Sequence, residues 1–176
     1  MVVTKVKQIK SVNKLSDGIK YIEDGAKTIG AELLDSDLNF HIKFVNGQPV
    51  SQLVSGNLII DVESAYSEMM QLKQLANLEK GRPINNEELV KNDVLAHHII
   101  QSFCPEDNLT PEQVHEIGRK TALELTGGGH QFVIATHMDK GHLHNHIYIN
   151  STNSVTLNKF RWQKGTALSL FNISNK

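Results

Sequence analysis

An α+β fold is predicted for this 176-residue chain by two observations. Segments with two-residue alternation are interspersed with segments of helical period, without the regular strand–helix–strand rhythm of a parallel sheet. The strongest strand pair, 131–137 and 142–150, is joined by a short turn containing Gly141, so it is an antiparallel hairpin rather than a crossover. No internal repeat or low-complexity tract interrupts the pattern.

The elements follow in order. Val2–Ile9 reads as a first strand, and Ser16–Glu23 as a short helix with Ser16 or Asp17 available as cap. Leu38–Val45 and Pro49–Val54, split by Asn46-Gly47, form a hairpin candidate. Asp61–Lys80 is the longest amphipathic stretch, with Val62, Ala65, Met69, Leu72, Leu75 and Ala76 at helical spacing. Gly81–Asn92 is polar loop, and Val94–Phe103 a strand. Thr110-Pro111-Glu112-Gln113 is a capping box with proline at the first helical position, opening a helix that runs to about Leu125 and stops at Gly127-Gly128-Gly129. After the Gln131–His137 and His142–Asn150 strands come a short Val155–Trp162 segment and a helix from about Thr166. That last pattern reaches Lys176 with no cap or glycine stop, so residues 1–176 are expected to be one domain, an N-terminal piece of a longer protein.

Composition narrows the class. The length suits one domain with a sizeable core. The single cysteine, Cys104, excludes a disulfide framework and suits a reducing compartment. No stretch approaches the ~18 apolar residues of a membrane span, and no signal-peptide pattern is visible. The net charge of −1 hides an asymmetry. Residues 1–27 carry +3, residues 28–139 carry −9, and residues 140–176 carry +5 with no acid. If the two basic ends meet, they make a positive cleft on an acidic body, which suits nucleic acid. Phe160-Arg161-Trp162, with Lys159 and Lys164 around it, joins base-stacking rings to phosphate-binding cations. Trp162 serves equally well as a core anchor.

The densest chemistry lies at residues 137–150, where four histidines, one aspartate and two asparagines fall within fourteen positions. Side chains alternate faces along a strand, so His142, His144, His146, Tyr148 and Asn150 share one side. Leu143, Ile147 and Ile149 take the other, with Asn145 the one polar residue among them. A hairpin through 138–141 returns His137 beside His144 and His146. Three imidazoles with open positions suit a divalent cation that must still accept a substrate oxygen. Asp139 is placed to orient an imidazole through its other nitrogen. His142 is open between ligand, orienting group and DNA contact, and His97 or His98 could support the site from behind it.

The pattern His137-x-Asp139-x-x-His142-x-His144-x-His146-x-x-x-Asn150 resembles the three-histidine motif of conjugative and mobilisation relaxases, which nick DNA to start plasmid transfer. Ala96-His97-His98-Ile99-Ile100-Gln101-Ser102-Phe103 is similar to the family's second motif. Leu53-Val54-Ser55-Gly56, Ala65 and Glu68-Met69 also fit. Tyr21-Ile22, with Lys27-Thr28 after it, resembles the segment carrying the nucleophilic tyrosine. Asp24-Gly25-Ala26 departs from the Asn-Pro turn that relatives often have there. The match runs from about residue 1 to 165 and is nearest to the P-class enzymes of Gram-positive conjugative elements. It implies a central antiparallel sheet with helices on one face and DNA plus metal on the other. It also implies Tyr21 as nucleophile, Asp139 or His142 as proton acceptor, and His137, His144 and His146 as ligands of Mg²⁺ or Mn²⁺. Lys27, Asn150, Lys159, Arg161, Trp162 and Lys164 are then the expected DNA contacts. The expected partners are single-stranded DNA at an origin of transfer, an accessory DNA-binding protein and the coupling and secretion machinery. The expected setting is the bacterial cytoplasm, with transfer alongside the DNA into a recipient left open.

The residues argue for Tyr21 independently. Of the three tyrosines, Tyr148 lies on the metal strand and cannot swing freely over a phosphate held by its neighbours. Tyr66 falls in the packed helical stretch. Tyr21 ends a short helix just before Gly25. A phenol ordinarily titrates near ~10, so its attack on a phosphodiester needs a proton acceptor or a nearby positive charge. Rolling-circle initiators place their tyrosine after the His-x-His strand, whereas this one precedes it. Cupins need an acidic ligand downstream, and no Asp or Glu follows Asp139. No helical His-Glu-x-x-His is present. Two further readings use the same histidines: a metal-stabilised, non-enzymatic single-stranded DNA-binding module, and a metal-dependent nuclease that activates water.

Overall fold

The computed structural model describes residues 2–22, 28, 44–45, 48–49, 53–82, 93–138, 141–163 and 165–175. Five strands form one sheet: β1 (Val3–Ile9), β4 (Val54–Asn57), β5 (Ala96–Ser102), β6 (His130–His137) and β7 (His144–Asn153). Their spatial order is β1-β5-β7-β6-β4, and every pairing is antiparallel. The fold is α+β, as the interspersed pattern predicts. Among the described residues, four helices pack on the sheet: α1 (Val12–Ile22), α2 (Ala65–Glu79), α3 (Pro111–Thr126) and α4 (Thr166–Ser174).

The two faces of the central strands are read from β6 and β7. Phe132, Ile134, Ile147 and Ile149 project to one side and join Ile99, Ala122 of α3 and Leu170 of α4 in a closed apolar cluster. Each such side chain, fully buried, contributes about 1.5–3 kcal/mol, so this face carries much of the stability. Val133, Ala135 and Tyr148 project to the other side. There they meet Leu15, Ile19 and Ile22 of α1 and Ala65, Met69 and Met70 of α2. The face that carries His137, His144 and His146 is therefore roofed in part by two helices, while its β1–β5 flank stays open. Both faces of β5, β6 and β7 are covered by residues or helices, which is why these strands are almost entirely buried.

Several boundaries differ from the sequence expectation for identifiable reasons. Helix α1 begins at Val12, a turn before Ser16, because Leu15 completes the buried series Leu15, Ile19 and Ile22; the Leu15 N–H donates to the Ser11 carbonyl at 3.0 Å. Ser16 and Asp17 are thus helix-interior residues rather than caps. In α2 the buried stripe is rotated: Leu75 is 48 % exposed while Lys73 is 5 % exposed. The Lys73 ammonium donates to the side-chain oxygens of Asn150, Ser151 (2.9 Å) and Thr152 (3.3 Å). Three acceptors at the end of β7 outweigh the local hydropathy pattern of the helix. Burial, and Lys159 after it, pushes Lys73 down to about 7.

The capping box at α3 forms as expected. The Gln113 N–H donates to Thr110 Oγ1 at 3.2 Å, the Thr110 N–H donates to Gln113 Oε1 at 2.9 Å, and Gly127 closes the helix with φ +65°. The expected hairpin about Asn46-Gly47 forms as β2 (Phe44–Val45) and β3 (Gln48–Pro49) in register Val45↔Gln48. Most of its expected length, and the 83–92 stretch, lie outside the described residues. Val54 does not continue that hairpin but opens β4, opposite Ala135. β7 runs three residues past Asn150. A Ser154–Thr156 turn then leads to a single bridge, Thr152↔Lys159, in place of a further strand.

Candidate metal centre and nucleophile

Register places the histidines. His137 stands directly opposite His144 and Ala135 opposite His146, so all three rings project from one face of adjacent central strands. Their candidate ligand nitrogens all lie within 4.8 Å of one another, and all three residues are buried. Ring centroids are 4.5 Å apart for His137–His146, 5.2 Å for His137–His144 and 5.1 Å for His144–His146.

The surrounding hydrogen bonds orient each ring for ligation. His137 Nε2 lies 3.1 Å from the Ile22 carbonyl, which can only accept, so Nε2 carries the proton and Nδ1 the lone pair. His144 Nδ1 donates likewise to the His142 carbonyl at 3.3 Å, which makes Nε2 its ligand atom. His146 Nδ1 lies 2.9 Å from His98 Nε2. The three-imidazole donor set and its outer hydrogen bonds thus fit a divalent cation. Burial first, then the charges of Lys7 and His137, pushes His98 down to about 4, so it faces His146 as a neutral ring. His98 also stacks on Tyr148 at 4.2 Å.

Tyr21 sits in the last turn of α1, 49 % exposed. Its ring centroid is 5.8 Å from that of His137 and 6.3 Å from that of His146. The other tyrosines are placed differently. Tyr148 is buried beneath α1, and burial pushes its phenol up to about 12. Tyr66, in the first turn of α2, packs against the core. Only Tyr21 combines proximity to the histidines with exposure. The bond from His137 to the Ile22 carbonyl ties the metal centre to the helix end that carries this phenol.

The remaining expected site residues divide. His142 lies on the bend before β7, partly exposed, with its ring 5.4 Å from that of His144; it is a rim residue outside the three-histidine cluster. Asp139, Lys27 and Lys164 lie outside the described residues. Asn150, expected at the DNA, is fully buried. Its Oδ1 accepts from Lys73 and from the Thr152 N–H, and its Nδ2 donates to Gln131 Oε1 at 2.8 Å and to the Met69 carbonyl at 3.3 Å. Its amide braces β7 against α2 and cannot reach a nucleotide. Lys159 pairs with Asp93. Phe160 and Trp162 pack on His97, on the sheet face opposite His98. Among the described residues, Lys159, Arg161 and Trp162 therefore do not border the three-histidine cluster.

The open flank of the metal face carries two cations that the sequence reading passed over. Lys7 stands opposite His98 and Lys5 opposite Ile100, the neighbour of His146 in register, and both lysines are exposed. Their signal was present as Lys5-Val6-Lys7, the period-two spacing of one strand face. What the sequence lacked was the β1–β5 pairing that identifies the face.

Behind the histidines a polar chain crosses the opposite face. Ser55 Oγ lies 2.8 Å from His115 Nε2, and His115 Nδ1 lies 2.9 Å from Thr136 Oγ1. Thr136 donates to Asn145 Oδ1 at 2.7 Å, and Asn145 donates to Gln101 Oε1 and the Val114 carbonyl. This network accounts for the polar Asn145 between apolar neighbours, and it anchors Thr136 and Asn145 beside the clustered histidines of β6 and β7.

Comparison with known proteins agrees with this geometry. Residues 46–176 match the family described as relaxase, MobA/VirD2-like, nuclease domain. The group II intron-interrupted relaxase LtrB of Lactococcus lactis subsp. cremoris is 43 % identical over 178 residues, covering 93 % of this chain and 32 % of that protein. Protein rlx of Staphylococcus aureus is 38 % identical over 104 residues, covering 59 % of this chain and 29 % of that protein. The chain spans about a third of the length of these relatives. Among the described residues no helix is long and apolar enough to cross a membrane. The fold, the three-histidine face and these matches agree that the chain belongs to the MobA/VirD2-like relaxases and contains their nuclease domain.

Proposed function

We propose that this domain nicks single-stranded DNA at an origin of transfer by transesterification, with Tyr21 as nucleophile. The observation that carries the reading is the exposed Tyr21 ring beside His137 and His146, on a helix end bonded to His137. The Tyr21 Oη–phosphorus bond forms and the phosphorus–O3′ bond breaks. This leaves a 5′-phosphotyrosyl enzyme and a 3′-oxygen that takes up a proton. The phenolic proton passes to an acceptor at the rim, for which His142 and Asp139 are the candidates. His137, His144 and His146 would hold Mg²⁺ or Mn²⁺, which would supply positive charge beside the scissile phosphate. Lys5 and Lys7 line the open flank as contacts to the DNA backbone. The phosphotyrosine conserves the bond energy, so the strand can be rejoined without ATP. Accessory DNA-binding and coupling proteins are the partners that the whole protein would require.

The test is a denaturing gel of the purified chain with end-labelled single strands from candidate origins, in Mn²⁺ or in EDTA. A metal-dependent, SDS-stable adduct on the 3′-side fragment is expected, and Tyr21→Phe should lower its yield at least a thousandfold. Cleavage with no adduct would instead identify a nuclease that activates water. Specific, metal-strengthened binding to an origin that is never cut would identify a binding module.

A further inference from the structure

The sheet face opposite the metal centre carries a second concavity, of about 360 Å³. Arg82, Lys159 and Arg161 stand at its walls, with His97, Phe160 and Trp162 also lining it. Asp93, the one carboxylate at its edge, is paired with Lys159, so the pocket keeps a positive excess. The three rings form a cluster: His97 lies 5.3 Å from Phe160 and 5.8 Å from Trp162, and Phe160 lies 6.3 Å from Trp162.

His97 supplies the second observation. Its side chain is 1 % exposed, yet neither ring nitrogen has a hydrogen-bond partner of ordinary geometry. The Phe160 backbone lies near the ring and favours its protonation, against the larger effect of burial. Buried polar nitrogens are ordinarily satisfied. An unsatisfied imidazole lining an aromatic and cationic pocket is poised for a ligand that brings its own donor or acceptor.

Separation from the metal centre follows from strand geometry. His97 and His98 are consecutive and point to opposite faces. Along β7 the pocket end, near Asn150, is four residues beyond His146, or about 13 Å at ~3.3 Å per residue.

We infer that this far-face pocket binds a nucleotide unit, with the base against Trp162 and its phosphate between Arg82 and Arg161, independently of the metal site. Flat rings interleaved with cations suit a base joined to a phosphate. An acidic peptide would use the cations and leave the rings without a role. Two sources present this chemistry, a nucleotide within a DNA strand and a free mononucleotide. The assignment does not depend on the role proposed for Tyr21. A DNA strand seated there would be anchored on the face away from the nick.

Trp162 is the only tryptophan in the chain, so its emission reports on the pocket directly. The experiment titrates the 176-residue chain carrying Tyr21→Phe, in EDTA, with thymidine 5′-monophosphate, an eight-residue oligothymidylate or inorganic phosphate, exciting at the red edge of tryptophan absorption. Saturable quenching is expected, with affinity reduced on the order of tenfold or more in Arg82→Ala and in Arg161→Ala. Restoring His137, His144 and His146 ligation with Mn²⁺ should leave that affinity within twofold. Quenching by the oligonucleotide alone supports a DNA strand as the source, and quenching by the mononucleotide as well supports a free nucleotide. Equal response to inorganic phosphate would overturn base recognition. Absence of quenching, or quenching untouched by both arginine substitutions in variants with unchanged circular dichroism, would overturn the site. Because Tyr21→Phe and EDTA remove the chemistry, none of these outcomes bears on the nicking reading.

Discussion

His98 Nε2 stands 2.9 Å from His146 Nδ1, and the His98 ring is sandwiched against Tyr148 at 4.2 Å. The contact joins a residue of β5 to a metal-site histidine of β7 and fixes which nitrogen of His146 points away toward the other two rings. An imidazole ligand held by such an outer bond loses about 10–100-fold in metal affinity when the bond is removed. His98→Ala is therefore expected to weaken Mn²⁺ binding by that order, measured by electron paramagnetic resonance of free Mn²⁺. His98→Gln, which can still accept from His146, should recover part of the loss. Equal affinity in all three proteins would show that His98 only fills space.

Gly18 tests the coupling between α1 and the site. A methyl group there would sit 2.7 Å from Tyr148 Cζ and closer still to its hydroxyl. Alanine gains about 1 kcal/mol of helix propensity over glycine, but overpacking a tight contact costs typically 1–3 kcal/mol. Tyr148 is locked between strands, so α1 must yield. Gly18→Ala should thus destabilise the fold slightly and displace Tyr21, one turn further on. Adduct formation should slow by roughly tenfold or more, while Mn²⁺ affinity stays close to that of the parent. An unchanged rate would mean that the helix end moves freely of its first two turns.

Asn145 is the branch point of the polar chain behind the ligands. Replacing it with leucine leaves the Val114 carbonyl, the Gln101 amide and the Thr136 hydroxyl short of a partner, each such loss costing about 1–3 kcal/mol. Asn145→Leu is expected to destabilise by several kcal/mol in urea unfolding, despite being the more apolar residue on an apolar face. Gly118→Ala, whose methyl would lie 3.0 Å from Asn145 Cγ and closer still to its amide nitrogen and to Ile134, should be destabilising by displacing that amide. A neutral result for both would remove the network from the account of stability.

Acid should weaken the fold through buried histidines remote from the metal ligands. Burial is the largest cause that pushes His97, His115 and His130 below the ordinary value of 6.5. A histidine whose folded-state pKa is depressed binds fewer protons folded than unfolded between the two values. Stability is then complete above about 6.5 and falls as pH drops through that window toward the folded-state values. The urea midpoint, measured in EDTA, should decline as pH falls below 6.5, and above pH 7 the depressed Lys73 should add a further rise with pH. His115→Gln should flatten part of that slope. A midpoint that rose on acidification would contradict the sign.

The line between sequence and tertiary structure can be drawn residue by residue. Period-two alternation and the Gly141 turn were enough to put His144 and His146 on one face and bring His137 beside them, because side-chain direction along a strand is a local property. The Thr110–Gln113 box and Gly127 were equally legible, since caps involve only neighbouring residues. Tyr21 was favoured by the family resemblance and, more weakly, by elimination, but its place beside His137 depends on α1 packing across β6. Other assignments needed contacts distant in sequence. Lys5 and Lys7 border the metal centre only because β1 pairs with β5. Asn150 is sealed only because Lys73 of α2 turns inward to meet β7. Lys159, Arg161 and Trp162 fall on the far face because the chain folds back from Thr152 to His97. Local pattern decides which face a side chain takes, whereas long-range pairing and burial decide what shares that face with it.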